Sequence, residues 1–124
     1  AQRSRRGESI SAADHSDLLR ARKRWIERVE TAVAPFDLLL SPTVPVVAPP
    51  LAPLIDDDDA FFATNALLLR NPSVVNFLDG CAISVPCQAA GELLVGLMLW
   101  APALRDDTVL SAALAVEVGL ARGH

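Results

Sequence analysis

Two apolar runs separated by a polar segment lie within CAISVPCQAAGELLVGLMLW, residues 81–100. The first run covers Ala82 to Val85 and the second covers Leu93 to Trp100, and neither contains a charged residue, which is typical of short buried strands. The residues between them, Gln88 to Glu92, include a glycine and a charge and are typical of a turn. The sequence therefore predicts a β-hairpin in this region.

Helices are predicted on both sides of the hairpin. Ser11 followed by Asp14 resembles a capping box, and apolar residues recur beyond it at helical spacing until Pro35. The carboxylates of Asp56 to Asp59 precede a second apolar segment, where a helix N-terminus favours negative charge. These patterns predict two helices before residue 70.

Two further helices are expected towards the C-terminus. Pro72 is expected to begin a short helix that Gly80 closes as its C-terminal cap. Asp106 and Asp107 supply first-turn acids for a last helix, which runs from about Val109 to Ala121 and has a broad apolar face. That face should cover a sheet.

A third strand is predicted before the proline-rich segment. Leu38 to Leu40 form an apolar run, as expected of a strand covered on both faces. The prolines between Pro42 and Pro53 exclude a helix and a central strand, so an extended loop is expected there.

The order of elements indicates the fold class. Helix, strand, loop, helix, short helix, strand, strand and helix form an α/β layered architecture that is incomplete, because a three-stranded sheet leaves two open edges. We expect the chain to be one segment, residues 1–124, with an N-terminal arm over residues 1–13 and the helices and strands in residues 14–124. Strands elsewhere in a longer protein would complete the sheet.

Composition excludes several function classes. The 124 residues are 52% hydrophobic and carry a net charge of −4, so a nucleic-acid partner has no overall electrostatic support. The longest apolar stretch, Leu93 to Leu104, is too short to span a bilayer, so no membrane association is expected. Two cysteines are too few for a disulfide framework, and a reducing cytoplasm is the expected location.

The residues contain no complete catalytic or ligand-binding motif. Ser84 lies in a strand without the elbow that exposes a nucleophile, so a structural role is expected. Cys81 and Cys87 lack the spacing of a metal site and are expected to be small buried hydrophobic residues. Lys23 lies on a solvated helix, and no glycine-rich phosphate cradle occurs. We therefore expect no catalytic residue, metal or cofactor in this chain.

Three segments taken together resemble the C-terminal portion of the amidase signature family. Each matches part of that family's pattern, and the three occur in the family's order: Phe36–Pro45 with its Pro-Thr; Arg70–Pro72 followed by Asn76–Cys87; and Leu93–Pro102 followed by the acid-capped last helix. The chain departs from the family pattern at Cys81, Gln88, Leu94 and Met98. These positions affect pocket shape more than fold.

The resemblance implies a large α/β/α layered fold with a mixed sheet, and hydrolysis of carbon–nitrogen bonds through a Ser, cis-Ser and Lys triad in a Gly/Ser-rich segment. That segment does not occur in these residues. It would precede residue 1 in a parent chain, or have been lost, so this chain alone is expected to be inactive. The resemblance further implies that the region completes the sheet and lines the pocket of a small amide substrate. Arg70 and Asn76 are the candidate substrate-binding residues. The alternative for Asn76 is a structural role, in which its side chain satisfies backbone groups at a turn.

A different class of function fits the sequence equally well. The arginine-bearing first helix, the open sheet edges and the high apolar content also suit a non-catalytic binding or assembly module derived from that fold. In either case we expect self-association or a companion chain that carries the rest of the fold.

Overall fold

A computed structural model describes residues 9–123 and divides the chain into two compact units, one ending at Pro35 and one beginning at Phe36. Within the first unit, helix α1 spans Ala12–Val33. The predicted capping box is confirmed, because the Ser11 hydroxyl accepts from the Asp14 backbone N–H at 3.1 Å and the Asp14 carboxylate accepts from the Ser11 backbone N–H. Most of the expected N-terminal arm lies outside the described residues.

The second unit contains three strands and four helices within the described residues. In chain order they are β1 (Leu39–Pro42), α2 (Ala52–Ile55), α3 (Asp58–Leu68), α4 (Arg70–Phe77), β2 (Cys81–Pro86), β3 (Gly96–Ala101) and α5 (Asp106–Gly123). The aspartate run begins α3 as predicted, since the Asp57 carboxylate accepts from the Ala60 backbone N–H at 3.0 Å.

The strands form one antiparallel sheet in the order β1-β3-β2. The predicted hairpin is confirmed as the β2–β3 pair, although β3 begins at Gly96 and residues 93–95 belong to the loop. Within the part of the chain that the structure describes, β1 and β2 each keep one unpaired edge. The incomplete α/β architecture predicted from the sequence is what the structure has.

Helices lie against both faces of the sheet. Paired residues of antiparallel strands point to the same face, and successive residues alternate. On one face, Leu99 and Ala101 of β3 are 0% exposed and pack with Val109 and Ala113 of α5. The last helix therefore covers the sheet as predicted. The opposite face carries Met98 and lies beside α4.

The prediction that the first strand is covered on both faces is wrong. The strand runs from Leu39 to Pro42, one or two residues later than expected, and Leu40 is 58% exposed. Leu40 is exposed because the last helix packs mainly on β2 and β3, and Pro42 joins the strand because the strand lies at the edge of the sheet. An edge strand leaves one side without partners, and it accepts proline because one row of backbone N–H groups is not needed for pairing.

Two predictions about prolines and glycines at the ends of elements are also wrong. The proline-rich segment ends in the short helix α2, where Pro53 occupies the first turn and its missing N–H costs nothing. The left-handed residue after α4 is Asp79, with φ 56°, and Gly80 is not in that conformation. Gly80 is required for a different reason, since a Cβ atom there would lie 2.5 Å from the carbonyl oxygen of Ala101.

Within residues 9–123, no helix is both long enough and apolar enough to cross a membrane.

Candidate functional site

A groove of about 430 Å³ lies where the start of α4 meets the end of β1 and the middle of β3. The antiparallel register places Ser41 opposite Met98 and Leu39 opposite Trp100, so that Ser41, Met98 and Trp100 share the sheet face away from α5. Val75 of α4 and Met98 are both buried and supply apolar lining. The groove is therefore built by pairing between segments more than fifty residues apart in the chain.

The start of α4 is fixed to β1 by one amide side chain. Asn71 Nδ2 donates to the carbonyl oxygen of Pro42 at 2.8 Å, and Asn71 Oδ1 accepts a longer hydrogen bond of 3.4 Å from Arg70 Nε. Asn71 thus donates one N–H to the strand and accepts from the guanidinium through its oxygen. This residue was not predicted as part of a site, and its only sequence signal was its place between Arg70 and Pro72.

The two predicted substrate-binding residues lie in different surroundings. Arg70 lines the groove with an exposed side chain, and among the described residues no carboxylate forms an ion pair with it. Asn76 is exposed in the last turn of α4 and is not part of the groove lining, while its backbone carbonyl accepts from the Asp79 N–H at 3.2 Å. The structure brings Arg70, but not Asn76, together with Ser41 and Trp100.

Two polar atoms of groove-lining side chains are buried without a hydrogen-bond partner in residues 9–123. They are the hydroxyl oxygen of Ser41 and the indole nitrogen of Trp100. An unpaired buried donor or acceptor costs about 1–3 kcal/mol, so two in one groove call for a partner such as a water or a ligand. Neither residue was predicted from the sequence to be part of a polar site. Trp100 was assigned to an apolar strand.

Ser84 lies on the same sheet face but is not set up as a nucleophile. Its Oγ is 2.5 Å from Thr43 Oγ1, and a neutral hydroxyl is too weak a base to activate a serine unless a lysine, histidine or carboxylate stands behind it. The two hydroxyls meet above Gly96, where a Cβ atom would lie 2.6 Å from Thr43 Oγ1 and would clash with Ser84 Oγ. The glycine keeps room for this hydroxyl pair.

Neither a metal-ligand cluster nor a paired thiol occurs in the described part of the chain. Residues 9–123 contain no group of three or more His, Cys, Asp or Glu side chains that could hold a metal ion. Cys81 and Cys87 are both free thiols of intermediate burial, so the expectation that they are buried is wrong. The Cys81 Sγ lies 3.5 Å from the carbonyl oxygen of Pro102, and the Cys87 Sγ lies 3.6 Å from that of Val95. Both thiols therefore contact the backbone of neighbouring chain segments.

Comparison with known proteins finds relatives that match most of this chain but only part of their own length. No family model matches the chain. It is 33% identical over 96 residues to a glutamyl-tRNA(Gln) amidotransferase subunit from Halobacterium salinarum, which is 77% of this chain and 22% of that protein. It is 38% identical over 93 residues to the protein of the same name from Thermobifida fusca, with coverages of 73% and 18%.

A relative with another name matches equally well. The 2-amino-5-chloromuconic acid deaminase of Comamonas testosteroni is 33% identical over 89 residues, which is 71% of this chain and 19% of the deaminase. The chain thus spans about a fifth of the length of the curated relatives it matches. Together with the motifs around Pro42, Arg70 and Pro86, these matches confirm the predicted resemblance to a C-terminal portion of amidase signature proteins.

Proposed function

We propose that this chain is the C-terminal part of an amidase-type hydrolase that acts on the carbon–nitrogen bond of a small amide. Its role is to supply scaffold and one wall of the substrate pocket, while a Ser, cis-Ser and Lys segment outside these residues carries out the reaction. The names of the relatives support this class of reaction, since they describe transfer of an amide group and removal of an amine.

The observation that carries the proposal is the groove between α4 and the sheet. It combines apolar lining from Val75 and Met98 with the charge of Arg70 and the unpaired polar atoms of Ser41 and Trp100. Ligand pockets are typically apolar cavities with a few converging polar groups. The described lining contains no histidine, lysine or carboxylate that could activate the Ser41 hydroxyl. A wall that binds without reacting is the role that fits these residues.

Within this proposal the residues have distinct tasks. Arg70 contacts the substrate, and Asn71 is a positioning residue that holds Arg70 and the start of α4 against β1. Asn76 remains a predicted substrate-binding residue, and it would act from the surface of α4 rather than from the groove. The chain alone should not turn over an amide.

The alternative is a non-catalytic binding or assembly module. It draws support from apolar side chains on the outward part of α5, where Leu110 is 56% exposed and Leu114 is 64% exposed, and from the unpaired edges of β1 and β2. Such surface suits burial against other protein. In the hydrolase this partner is the rest of the fold, whereas in the module it is a companion chain or a second copy.

Reading the coding sequence upstream of Ala1 separates the two proposals. A Gly/Ser-rich segment with a preceding lysine supports the hydrolase, whereas a start codon close to Ala1 supports the module. The longest polypeptide that the reading frame encodes should then release ammonia from a small primary amide. Absence of ammonia release by that folded polypeptide, across neutral and charged amides, would contradict the hydrolase.

We also propose a cytoplasmic location. Two cysteines in 124 residues are too few for the disulfide framework of a small secreted domain.

A further inference from the structure

We infer that the sheet continues at the outer edge of β2, and not at that of β1, by pairing with an extended strand that has an apolar face and comes from the parent protein outside these residues. The inference rests on the proposed function and adds which surface of the chain meets the rest of the fold. Three observations carry it: the backbone groups along the two sheet edges, the hollow beside β2, and the length of the relatives.

The outer edge of β2 presents the backbone groups that a further strand needs. Cys87 donates its N–H to the carbonyl oxygen of Val95 at 3.0 Å, so the odd-numbered residues of β2 direct their backbone groups towards β3. The even-numbered residues therefore point outward. Ala82 and Ser84 each present an N–H and a carbonyl there, and among the described strands only β3 pairs with β2. Pro86 adds a carbonyl without an N–H, so pairing ends at that residue.

The outer edge of β1 offers much less. Thr43 donates its N–H to the carbonyl oxygen of Gly96 at 2.8 Å, which by the same alternation leaves Leu40 and Pro42 pointing outward. Pro42 has no N–H, and its carbonyl oxygen already accepts from Asn71 Nδ2 at 2.8 Å. In the described part of the chain, Leu40 alone keeps both outward backbone groups available. A single residue is too short a stretch to hold a strand, so β1 ends the sheet.

A hollow of about 220 Å³ beside the edge of β2 determines the chemistry of the added strand. Ile83 and Val85 line it from β2, and Leu110 and Leu114 line it from α5. Both leucines are more than half exposed. Alternate side chains of an added strand would point towards these leucines and bury them, which favours apolar residues at those positions. The partner is therefore a strand of about five residues with an apolar face.

The length of the relatives indicates where that strand comes from. The chain spans about a fifth of each relative, so most of a protein of that size would lie outside these residues. Natural proteins protect an open strand edge with charge or proline, and β2 carries neither before Pro86. An unprotected edge beside exposed leucines is typical of an edge that other protein covers. A second copy of the chain also has such a strand, and the experiment distinguishes the two partners.

Backbone amide hydrogen exchange tests the inference in the longest polypeptide that the reading frame encodes, called here the encoded polypeptide. In it, the protection factors of the Ala82 and Ser84 amides should exceed that of Leu40 at least about a hundredfold, because a paired amide exchanges only when its strand opens. In the dilute 124-residue chain the three amides should exchange at similar rates. The Ile83 amide, which is directed towards β3, should be protected in both proteins and shows that the sheet is folded.

Ala82→Pro and Leu40→Pro form a matched pair of variants, since each replaces an outward N–H on an edge strand by a proline ring. Proline is tolerated where the N–H does not pair, so both variants should leave the 124-residue chain folded. In the encoded polypeptide, Ala82→Pro should lower the midpoint of chemical denaturation or prevent folding. Leu40→Pro should leave that midpoint close to the wild-type value.

Unprotected Ala82 and Ser84 amides in the folded encoded polypeptide, or protection of Leu40 in their place, would overturn the inference. Protection that depends on the concentration of the encoded polypeptide would also overturn it, because the edge would then pair with a second copy. Amide hydrolysis by an encoded polypeptide with unprotected Ala82 and Ser84 would leave the proposed function intact and sink the inference. Protected amides in an encoded polypeptide that hydrolyses no amide would do the reverse.

Discussion

At the scale of single residues, two glycines of this fold serve close approach rather than turn formation. Gly80 lies between Val75 and the backbone of β3, and Gly96 lies beneath the hydroxyl pair of Thr43 and Ser84. Gly80 was predicted to supply left-handed backbone geometry, which Asp79 provides instead. A glycine near the end of a helix suggests a cap, but its contact with β3 depends on how β2 and β3 pair and cannot be seen locally.

Gly80→Ala should therefore destabilise the second unit. The new methyl group would meet the carbonyl oxygen of Ala101 at 2.5 Å, and a backbone atom in a sheet cannot rotate away. Overpacking of this kind costs about 1–3 kcal/mol, which chemical denaturation followed by circular dichroism would measure as a lower midpoint.

Gly119→Ala is the matched control for that measurement. It is the same chemical change within helix α5, where nothing lies within 4 Å of the added Cβ atom. Because glycine weakens a helix interior, this variant should gain about 0.5–1 kcal/mol. A Gly80→Ala variant as stable as the wild type would contradict the close packing of β2 and β3 at that point.

At the scale of elements, local signals in the sequence predicted the helix starts well. The capping box at Ser11 and the Asp57 cap are contained within a few residues, so that no tertiary information is needed to recognise them. The ends of strands and the C-terminal ends of helices were harder to predict from the sequence. Whether Pro42 ends or joins a strand depends on that strand lying at the sheet edge, and this follows only from the order β1-β3-β2.

The capping box of α1 should make helix formation pH-dependent. The Ser11 hydroxyl donates to Asp14 at 2.6 Å and its backbone N–H donates at 3.3 Å, and these bonds lower the pKa of Asp14 below its usual 3.8. A carboxylate with a lowered pKa stabilises the folded form above its unfolded pKa and loses that effect as the pH falls through the folded value. Helicity supported by Asp14 should thus be lost below about pH 4.

A peptide covering residues 9–35 allows this to be measured by circular dichroism. The other carboxylates of the helix titrate in the same range, so the difference between the wild-type peptide and Asp14→Asn isolates the contribution of Asp14. That difference should be present near neutral pH, shrink in acid and be much smaller in a Ser11→Ala background. A difference that is constant from neutral pH to strong acid would rule out the ionised cap.

The candidate site illustrates what local sequence patterns leave out. Arg70 could be selected from the resemblance, because it belongs to a recognisable motif. Ser41 and Trp100 could not, since they come together only through the register of β1 with β3, and an isolated tryptophan in an apolar run predicts core. Predicting Ser41 and Trp100 as site residues would have required the pairing of β1 with β3, which no local sequence pattern contains.

At the scale of the whole molecule, the dominant feature is surface that the described residues do not cover. The outer edge of β2 has no charged residue from Cys81 to Pro86, and natural proteins usually protect such an edge. Nearby, Leu110 and Leu114 of α5 are more than half exposed and line a shallow hollow with Ile83 and Val85. We expect this region to drive association of the isolated chain.

Sedimentation over a wide concentration range should show the apparent mass rising with concentration. Ala82→Lys places a charge on the outer strand and should shift the equilibrium towards monomer. Ala115→Lys adds the same charge on an exposed position of α5 and should behave as wild type. A compact, cooperatively folding monomer at all concentrations would mean that these elements close a core unaided.

The most direct test of the proposed function is an amide hydrolysis assay on the purified 124-residue chain, because the chain is proposed to supply a pocket wall without a reactive group. We predict no ammonia release above that of a mock purification with any small amide. Turnover that co-purifies with the chain and is abolished by Ser84→Ala would contradict this proposal, since it would require the Ser84–Thr43 pair to act as a catalytic centre.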